Sequence, residues 1–129
     1  MAKTALDITG DEWLAYDMGA AVRRRQASVD PQAQERWQQA QQLAREAAQR
    51  LRGQFGARRV VLFGSAVERS SFTRWSDVDL AVWGVPPEQF YAAVAAVTGL
   101  HADIPVDLVD AEQCSEDLKE AIKREGVEL

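Results

Sequence analysis

Three aspartates interrupt apolar segments in the second half of this 129-residue chain. Asp77 and Asp79 lie two residues apart in Ser-Asp-Val-Asp-Leu-Ala-Val, and Asp107 lies in Val-Asp-Leu-Val. Alternate side chains of a β-strand share a face, so Asp77 and Asp79 are predicted to point the same way while the apolar residues between them enter a core. Like charges about 4 Å apart repel by roughly 4 kcal/mol at an effective dielectric constant of about 20. Paired carboxylates of this kind need something that offsets their repulsion.

Two interpretations of this acidic pair follow from the residues. A solvent-facing edge of an antiparallel sheet would leave both carboxylates hydrated. A divalent cation would instead offset the repulsion, and oxygen ligands favour Mg²⁺ or a similarly hard ion. If the strand that carries Asp107 is a neighbour, three carboxylates share one face, as in a two-metal phosphoryl-transfer site. Asp77 and Asp79 would then bridge the ions, and Asp107 would hold one ion near an attacking hydroxyl and accept its proton.

A glycine and a serine follow the first apolar run, in Phe63-Gly64-Ser65. Glycine lets the backbone approach a ligand closely and tolerates unusual dihedral angles. A serine at the start of the next turn offers its hydroxyl and backbone N–H groups to an anion such as phosphate. The same dipeptide is also typical of a plain turn, so this motif alone does not decide between the two.

The surrounding pattern predicts an α/β (α+β) domain with a small mixed sheet, flanking helices and an N-terminal helical extension. Helices can cover one face of such a small sheet. The predicted elements after residue 58 are strands at Arg59–Phe63, Val78–Trp83 and Ile104–Val109, a short helix or turn at Ala66–Ser70, a helix at Pro87–Thr98, and a last helix that Ser115 or Asp117 opens and that ends before Gly126.

Two helices are predicted before the first strand. The first spans about Asp11–Arg25, with a capping box formed by Thr9 and Glu12. The second begins after the N-cap Asp30, and Gly53 is its predicted C-terminal cap. Its apolar stripe recurs at steps of three and four residues, through Ala33, Trp37, Ala40, Ala44, Ala47 and Leu51. We therefore divide the single globular unit into a helical extension, residues 1–52, and a catalytic domain, residues 53–129.

The composition limits the function classes. A chain with 47% hydrophobic and 27% charged residues is globular, and a net charge of −5 argues against a general nucleic-acid binder. The acidity is concentrated late: residues 60–129 hold five Lys and Arg against thirteen Asp and Glu. There is no apolar run of the roughly 20 residues that a membrane helix needs. The single cysteine, Cys114, fits a reducing cytoplasm, which is the predicted location.

Several other side chains near these motifs have two interpretations. Trp75 could stack on a nucleobase, but packing at the loop–strand junction is the favoured interpretation. Trp83 shares the strand face of Asp79 by alternation, so it either lines the cleft or anchors the sheet end. His101 has no histidine partner, which argues against catalysis. The run Arg23–Arg25 is interpreted as complementing a helix dipole or facing a partner rather than binding nucleic acid.

The motifs taken together resemble a known family. The chain resembles the minimal nucleotidyltransferases, a branch of the DNA polymerase beta nucleotidyltransferase superfamily. Three segments carry the resemblance: Val-Val-Leu-Phe-Gly-Ser (60–65), Trp-Ser-Asp-Val-Asp-Leu-Ala-Val (75–82) and Val-Asp-Leu-Val (106–109). The resemblance extends to residue 129. It implies an enzyme that transfers a nucleoside monophosphate, with AMP from ATP the expected case, to a hydroxyl. Gly64 and Ser65 would hold the triphosphate, and Asp77, Asp79 and Asp107 would hold Mg²⁺, with two ions expected.

The chain departs from the family pattern after the serine. Relatives usually continue with a basic residue and a small-residue–glycine pattern, whereas this chain has Ala-Val-Glu-Arg at 66–69. Glu68 stands where a basic residue would help to neutralise phosphate. Arg69 replaces a common glycine, and we predict that its side chain reaches the phosphates instead.

The resemblance also implies a partner. Short members of this family are commonly paired with a helical HEPN protein in a toxin–antitoxin system, and in some pairs they adenylylate a tyrosine of that protein. The expected function is therefore that of the antitoxin. The alternative is a non-catalytic nucleotide-binding or interaction protein that neutralises its partner by forming a complex. The acceptor, the base preference and the oligomeric state are not encoded in any motif.

Overall fold

The computed structural model describes residues 31–129. The predicted helix at Asp11–Arg25, its capping box and the run Arg23–Arg25 lie outside the described residues. The helices are α1 (Pro31–Phe55), α2 (Pro87–Thr98) and α3 (Glu116–Glu125), and the strands are β1 (Arg59–Phe63), β2 (Val78–Trp83), β3 (Val106–Asp110) and β4 (Val127–Glu128). Two short 3-10 helices, Gly64–Val67 and Arg69–Ser71, connect β1 to β2.

The strands form one mixed sheet in the order β3-β2-β1-β4. Strand β1 is antiparallel to both β2 and β4, whereas β2 and β3 are parallel. The parallel register places Asp79 beside Asp107, and the antiparallel register places Phe63 on the other side of Asp79. This arrangement confirms the predicted fold class, and it meets the condition that the two acidic strands are neighbours.

The larger core lies between the sheet and helices α1 and α2. The side chains that alternate with the aspartates are buried there, which confirms the predicted alternation; they are Val78, Leu80, Val82, Val106 and Leu108. They meet the stripe of α1, of which Ala40, Ala44, Ala47 and Leu51 are fully buried. The predicted helical period of α1 is therefore also confirmed.

Helices cover both faces of the sheet, one face more than the sequence indicated. On the second face, α3 packs Ile122 against a smaller cluster that includes Val61, Phe63 and Ala81. Alternation in β1 and β2 supplies apolar residues to this face as well, and they exclude water only when α3 covers them. Asp79 is two residues before Ala81 in β2, so its side chain lies on the same face of the sheet, the one that α3 covers.

The helix ends show which capping predictions hold. Helix α1 continues through Gly53, so Gly53 is not its cap; the left-handed conformation that ends a helix belongs to Gly56, with φ +72°. Ser115 is the N-cap of α3, because its hydroxyl oxygen accepts a hydrogen bond from the Leu118 N–H at 3.2 Å. The proposed boundary between residues 52 and 53 stays a prediction, and it falls inside α1.

Strand β4 was not predicted. Its two residues follow Gly126, where a Cβ atom would collide with the Ile122 carbonyl oxygen and with Val61. The backbone then pairs with β1, and the Leu129 N–H donates to the Val60 carbonyl at 2.9 Å. A two-residue strand carries no periodicity, so only the tertiary structure reveals it. Among the helices of residues 31–129, none is long and apolar enough to cross a membrane.

Candidate active site

The three aspartates gather at the end of the sheet where β2 and β3 begin. Asp79 and Asp107 are register partners across the parallel pair, and Asp77 precedes the first residue of β2. Asp77 and Asp79 are half-buried, whereas Asp107 is exposed. Because β2 lies between β1 and β3, Asp79 is flanked by strands on both sides. The Asp79 carboxylate therefore projects from an interior strand of the sheet, where its charge is poorly hydrated.

The loop before β2 fixes the approach to Asp77. The Thr73 N–H donates to the Ser76 hydroxyl at 2.9 Å, and the Ser76 N–H donates to the Thr73 carbonyl at 3.1 Å. These local bonds close residues 73–76 into a turn. The Val78 N–H then donates to the Pro105 carbonyl, which joins the starts of β2 and β3.

Electrostatics confirms that the three carboxylates influence one another. Burial, followed by the charges of Asp107 and then Asp77, together raise the pKa of Asp79 to about 6. Removal from water and like charge both disfavour the ionised form of a carboxyl group. The protein thus concentrates negative charge at one place, as a cation-binding site does.

Gly64 brings the glycine–serine turn against this acidic group. Its φ of +77° lies in the left-handed region, and a Cβ atom at this position would collide with the Asp79 carboxylate. Any side chain at residue 64 would therefore displace the carboxylate or the turn. The close approach joins two motifs that are fifteen positions apart in the sequence into one site.

A cleft of about 640 Å³ opens beside the turn. It is lined by Gly64, Ser65, Val67, Glu68, Ser71, Arg124 and Glu125. Arg69, which was predicted to reach phosphate, lies in the next 3-10 helix with an exposed side chain and is not among these residues. Arg124 of α3 does line the cleft. Its sequence position gave no signal of this, because a basic residue in a last helical turn is ordinarily interpreted as complementing the helix dipole.

The aspartates suit a metal ion in their chemistry but do not enclose one as they stand. Within residues 31–129, no three His, Cys, Asp or Glu side chains are placed closely enough to hold a metal ion. The donor set is nonetheless composed of carboxylates, which are the ligands that Mg²⁺ prefers. A cation would also offset the charges that raise the pKa of Asp79. The donor chemistry therefore fits Mg²⁺.

Trp75 and Trp83 have different surroundings. Trp75 is 82% exposed, so the favoured packing role is wrong; its ring lies 5.8 Å from the Arg74 guanidinium. Trp83 stands at the far end of β2, where the Arg59 guanidinium lies 4.5 Å above its ring. It lines a second cavity, on the α3 side, rather than the cleft beside Gly64.

The remaining singled-out residues have structural contacts. The His101 Nδ1 accepts hydrogen bonds from the N–H groups of Asp103 and Ile104, at 3.0 and 3.2 Å. Cys114 is half-buried, and its thiol lies 3.7 Å from the Ala111 carbonyl oxygen. These contacts account for both residues without a chemical role.

A family model described as "Polymerase beta, Nucleotidyltransferase" matches residues 45–129. The chain therefore belongs to the polymerase beta nucleotidyltransferase family. This membership confirms the family predicted from the motifs and makes the chain a nucleotidyltransferase. The match begins within α1 and includes every strand of the sheet.

Two solved structures are similar to this chain in fold. One is described as a toxin–antitoxin with AMP-PNP: identity is 24%, the TM-score is 0.56, and the match covers 66% of this chain and 70% of that chain. The other is a mutant of the toxin–antitoxin MntA–HpeT, with 25% identity, a TM-score of 0.54, and coverage of 66% and 69%. The first likeness shows the fold alone, and the second, which names MntA, agrees with the branch named from the sequence. No curated protein matches the chain significantly.

Proposed function

We propose that this protein transfers AMP from ATP, with Mg²⁺, to a hydroxyl group of a partner protein, and that it acts as the antitoxin of a toxin–antitoxin pair. The observation that carries the proposal is the close approach of Gly64 to the Asp79 carboxylate. It brings a phosphate-binding turn beside carboxylates suited to a metal ion. The family membership supplies the reaction class.

The residues divide the chemistry between them. Gly64 and Ser65 hold the triphosphate through backbone N–H groups and the hydroxyl. Asp77, Asp79 and Asp107 would hold Mg²⁺, which would neutralise phosphate charge. The acceptor oxygen forms a bond to the α-phosphorus as the bond to the bridging oxygen breaks, so pyrophosphate leaves. Asp107, as the exposed carboxylate, takes the proton of the acceptor hydroxyl.

The partner is proposed from the relatives. Both similar structures are described as toxin–antitoxin pairs, and one contains AMP-PNP, a non-hydrolysable ATP analogue. The sequence resemblance adds that the partner is a helical HEPN-type protein.

The test is label transfer with ATP labelled at the α-phosphate or at the γ-phosphate. We expect the partner protein to gain the α label in the presence of Mg²⁺ and not to gain the γ label. Asp79→Asn should abolish transfer. Asp103→Asn is the matched control, since Asp103 is an exposed aspartate in the loop before β3. Transfer of the γ label, or equal transfer by both variants, would overturn the proposal.

A second candidate function is neutralisation by binding alone. It is favoured by Glu68, which lines the cleft where phosphates would lie, and by the spacing of the described aspartates, which do not enclose a metal ion. Asp77→Ala/Asp79→Ala protein decides between the two. If it still neutralises the partner, binding suffices; if it forms the complex but no longer neutralises, catalysis is required.

A further inference from the structure

One basic residue faces the glycine–serine turn from the opposite end of the sequence. Arg124, in the last turn of α3, lines the same cleft as Gly64 and Ser65. Of the described residues that line this cleft, Arg124 is the only Lys or Arg, and two others, Glu68 and Glu125, are acidic. An anion that entered the cleft would therefore meet one side chain of opposite charge.

The C-terminal tail holds Arg124 in this position. Ile122, two residues earlier, is buried against Val61 in the cluster beneath α3. Gly126, two residues later, is so close to Val61 that it leaves no room for a Cβ atom. Strand β4 then pairs with β1. The last turn of α3 is thus attached to β1 on both sides of Arg124, and Gly64 directly follows β1.

The contacts of Arg124 leave it able to bind a ligand. Its guanidinium pairs with the adjacent Glu125 at 3.2 Å, and both side chains are more than half exposed. Exposed ion pairs of this kind contribute little, because water screens them. A guanidinium presents several N–H donors in a planar fork that matches phosphate oxygens, and such hydrogen bonds are stronger than neutral ones. Phosphate can therefore replace Glu125 as its partner.

We propose that Arg124 binds the phosphates of the nucleotide and supplies the positive charge that this chain lacks at Glu68. The inference rests on the proposed function, since it names a phosphate-binding residue of the same site. It also explains how the departure after Ser65 is compatible with triphosphate binding: the cation comes from α3 rather than from the loop.

The test compares Arg124→Ala, Arg124→Lys and Lys123→Ala in the full chain. Lys123 is the matched control, because it precedes Arg124 on the same helix and lines the other cavity on the α3 side. Calorimetry measures the Kd of ATP with Mg²⁺, and label transfer to the partner protein measures KM and kcat. Loss of a charge-assisted contact should weaken ATP binding and raise KM about ten- to hundredfold in Arg124→Ala, with a smaller effect on kcat. Arg124→Lys should recover part of the loss, and Lys123→Ala should match the wild type.

The outcomes separate this inference from the proposed function. If the wild type transfers label and Arg124→Ala binds ATP as Lys123→Ala does, the role of Arg124 is refuted and the function stands. If ATP affinity depends on Arg124 but no label is transferred, the function is refuted and the role of Arg124 stands. If the wild type binds no ATP, both fail. Glu68→Gln adds an independent check, since it should tighten ATP binding by removing a negative charge from the same cleft.

Discussion

At the scale of single residues, Asp79 is where folding and function oppose each other most directly. The fold places a carboxylate between β1 and β3 beside two others, and burial is the main reason that its pKa rises to about 6. A metal-binding site needs that concentration of charge, whereas the folded chain without metal is destabilised by it. Strand alternation predicted which face the carboxylates share, but only the packing around them determines how far the pKa of Asp79 rises.

Asp79 should make stability depend on pH in a defined direction. Its pKa is higher in the folded protein than the ordinary 3.8, so between about pH 4 and pH 6 the folded state binds more protons than the unfolded state and loses stability as pH rises. Asp79→Asn should therefore be more stable than the wild type by about 1–2 kcal/mol at pH 7, and the difference should vanish below pH 4. Urea unfolding in EDTA across this range measures it. An equal gain from Asp103→Asn would show that the effect is not specific to Asp79.

Gly64 is the residue whose substitution should disrupt the site most. Gly64→Ala adds a Cβ atom that collides with the Asp79 carboxylate at a backbone angle that alanine rarely adopts. We expect a loss of about 2 kcal/mol or more in unfolding free energy, together with loss of ATP binding. Gly53→Ala is the control: it lies in α1 with open space around it and should stabilise the helix by about 0.5–1 kcal/mol. A Gly64→Ala protein as stable as the wild type would contradict the close approach.

At the scale of elements, the sequence predicted those with a clear period and missed those without one. The bounds of β1, β2 and α2 agree with the prediction, because apolar residues and flanking glycines or prolines mark their ends. Strand β3 begins at Val106 rather than Ile104, since Pro105 intervenes and cannot donate to a strand ladder. Strand β4 forms only because residues 127–128 pair with β1, so no local sequence pattern predicts it.

The tail should respond to a single methyl group. Gly126→Ala would place a Cβ atom against the Ile122 carbonyl oxygen and Val61, so the tail and the last turn of α3 must shift. Thermal unfolding should show a loss of about 1–3 kcal/mol, the usual cost of overpacking. Gly99→Ala, at the end of α2 with nothing within 4 Å of its Cβ position, should cost less. Equal effects of the two variants would mean that the close contact at Gly126 does not constrain the tail.

At the scale of the whole molecule, the distribution of charge matters more than its total. The net charge of −5 is the sum of +3 in residues 1–59 and −8 in residues 60–129, and the three aspartates of the site are part of that later excess. The sheet collects them at one end, while Arg124 approaches the neighbouring cleft from α3. Under the proposed function, the end of the sheet would hold the metal and the neighbouring cleft would hold the phosphates.

Mg²⁺ should stabilise the molecule by binding there. A ligand that binds only the folded state raises its apparent stability in proportion to the logarithm of its concentration. We expect millimolar Mg²⁺ to raise the Tm of the wild type above its value in EDTA at equal ionic strength. Asp77→Asn/Asp79→Asn should remove this rise, and Arg124→Ala should retain it. A rise that persists in the double aspartate variant would place the metal elsewhere.

The sequence by itself determined the carboxylates, their strands and the family, because strand alternation and the spacing of Gly64, Asp77, Asp79 and Asp107 are local properties of the chain. It also determined the departure at Glu68. Only the tertiary structure decided which residues meet: that Gly64 lies against Asp79, that β4 forms the edge of the sheet beside β1, and that Arg124 rather than Arg69 lines the cleft. The physical reason is that these contacts join residues distant in sequence, and they exist only when the sheet and α3 pack together.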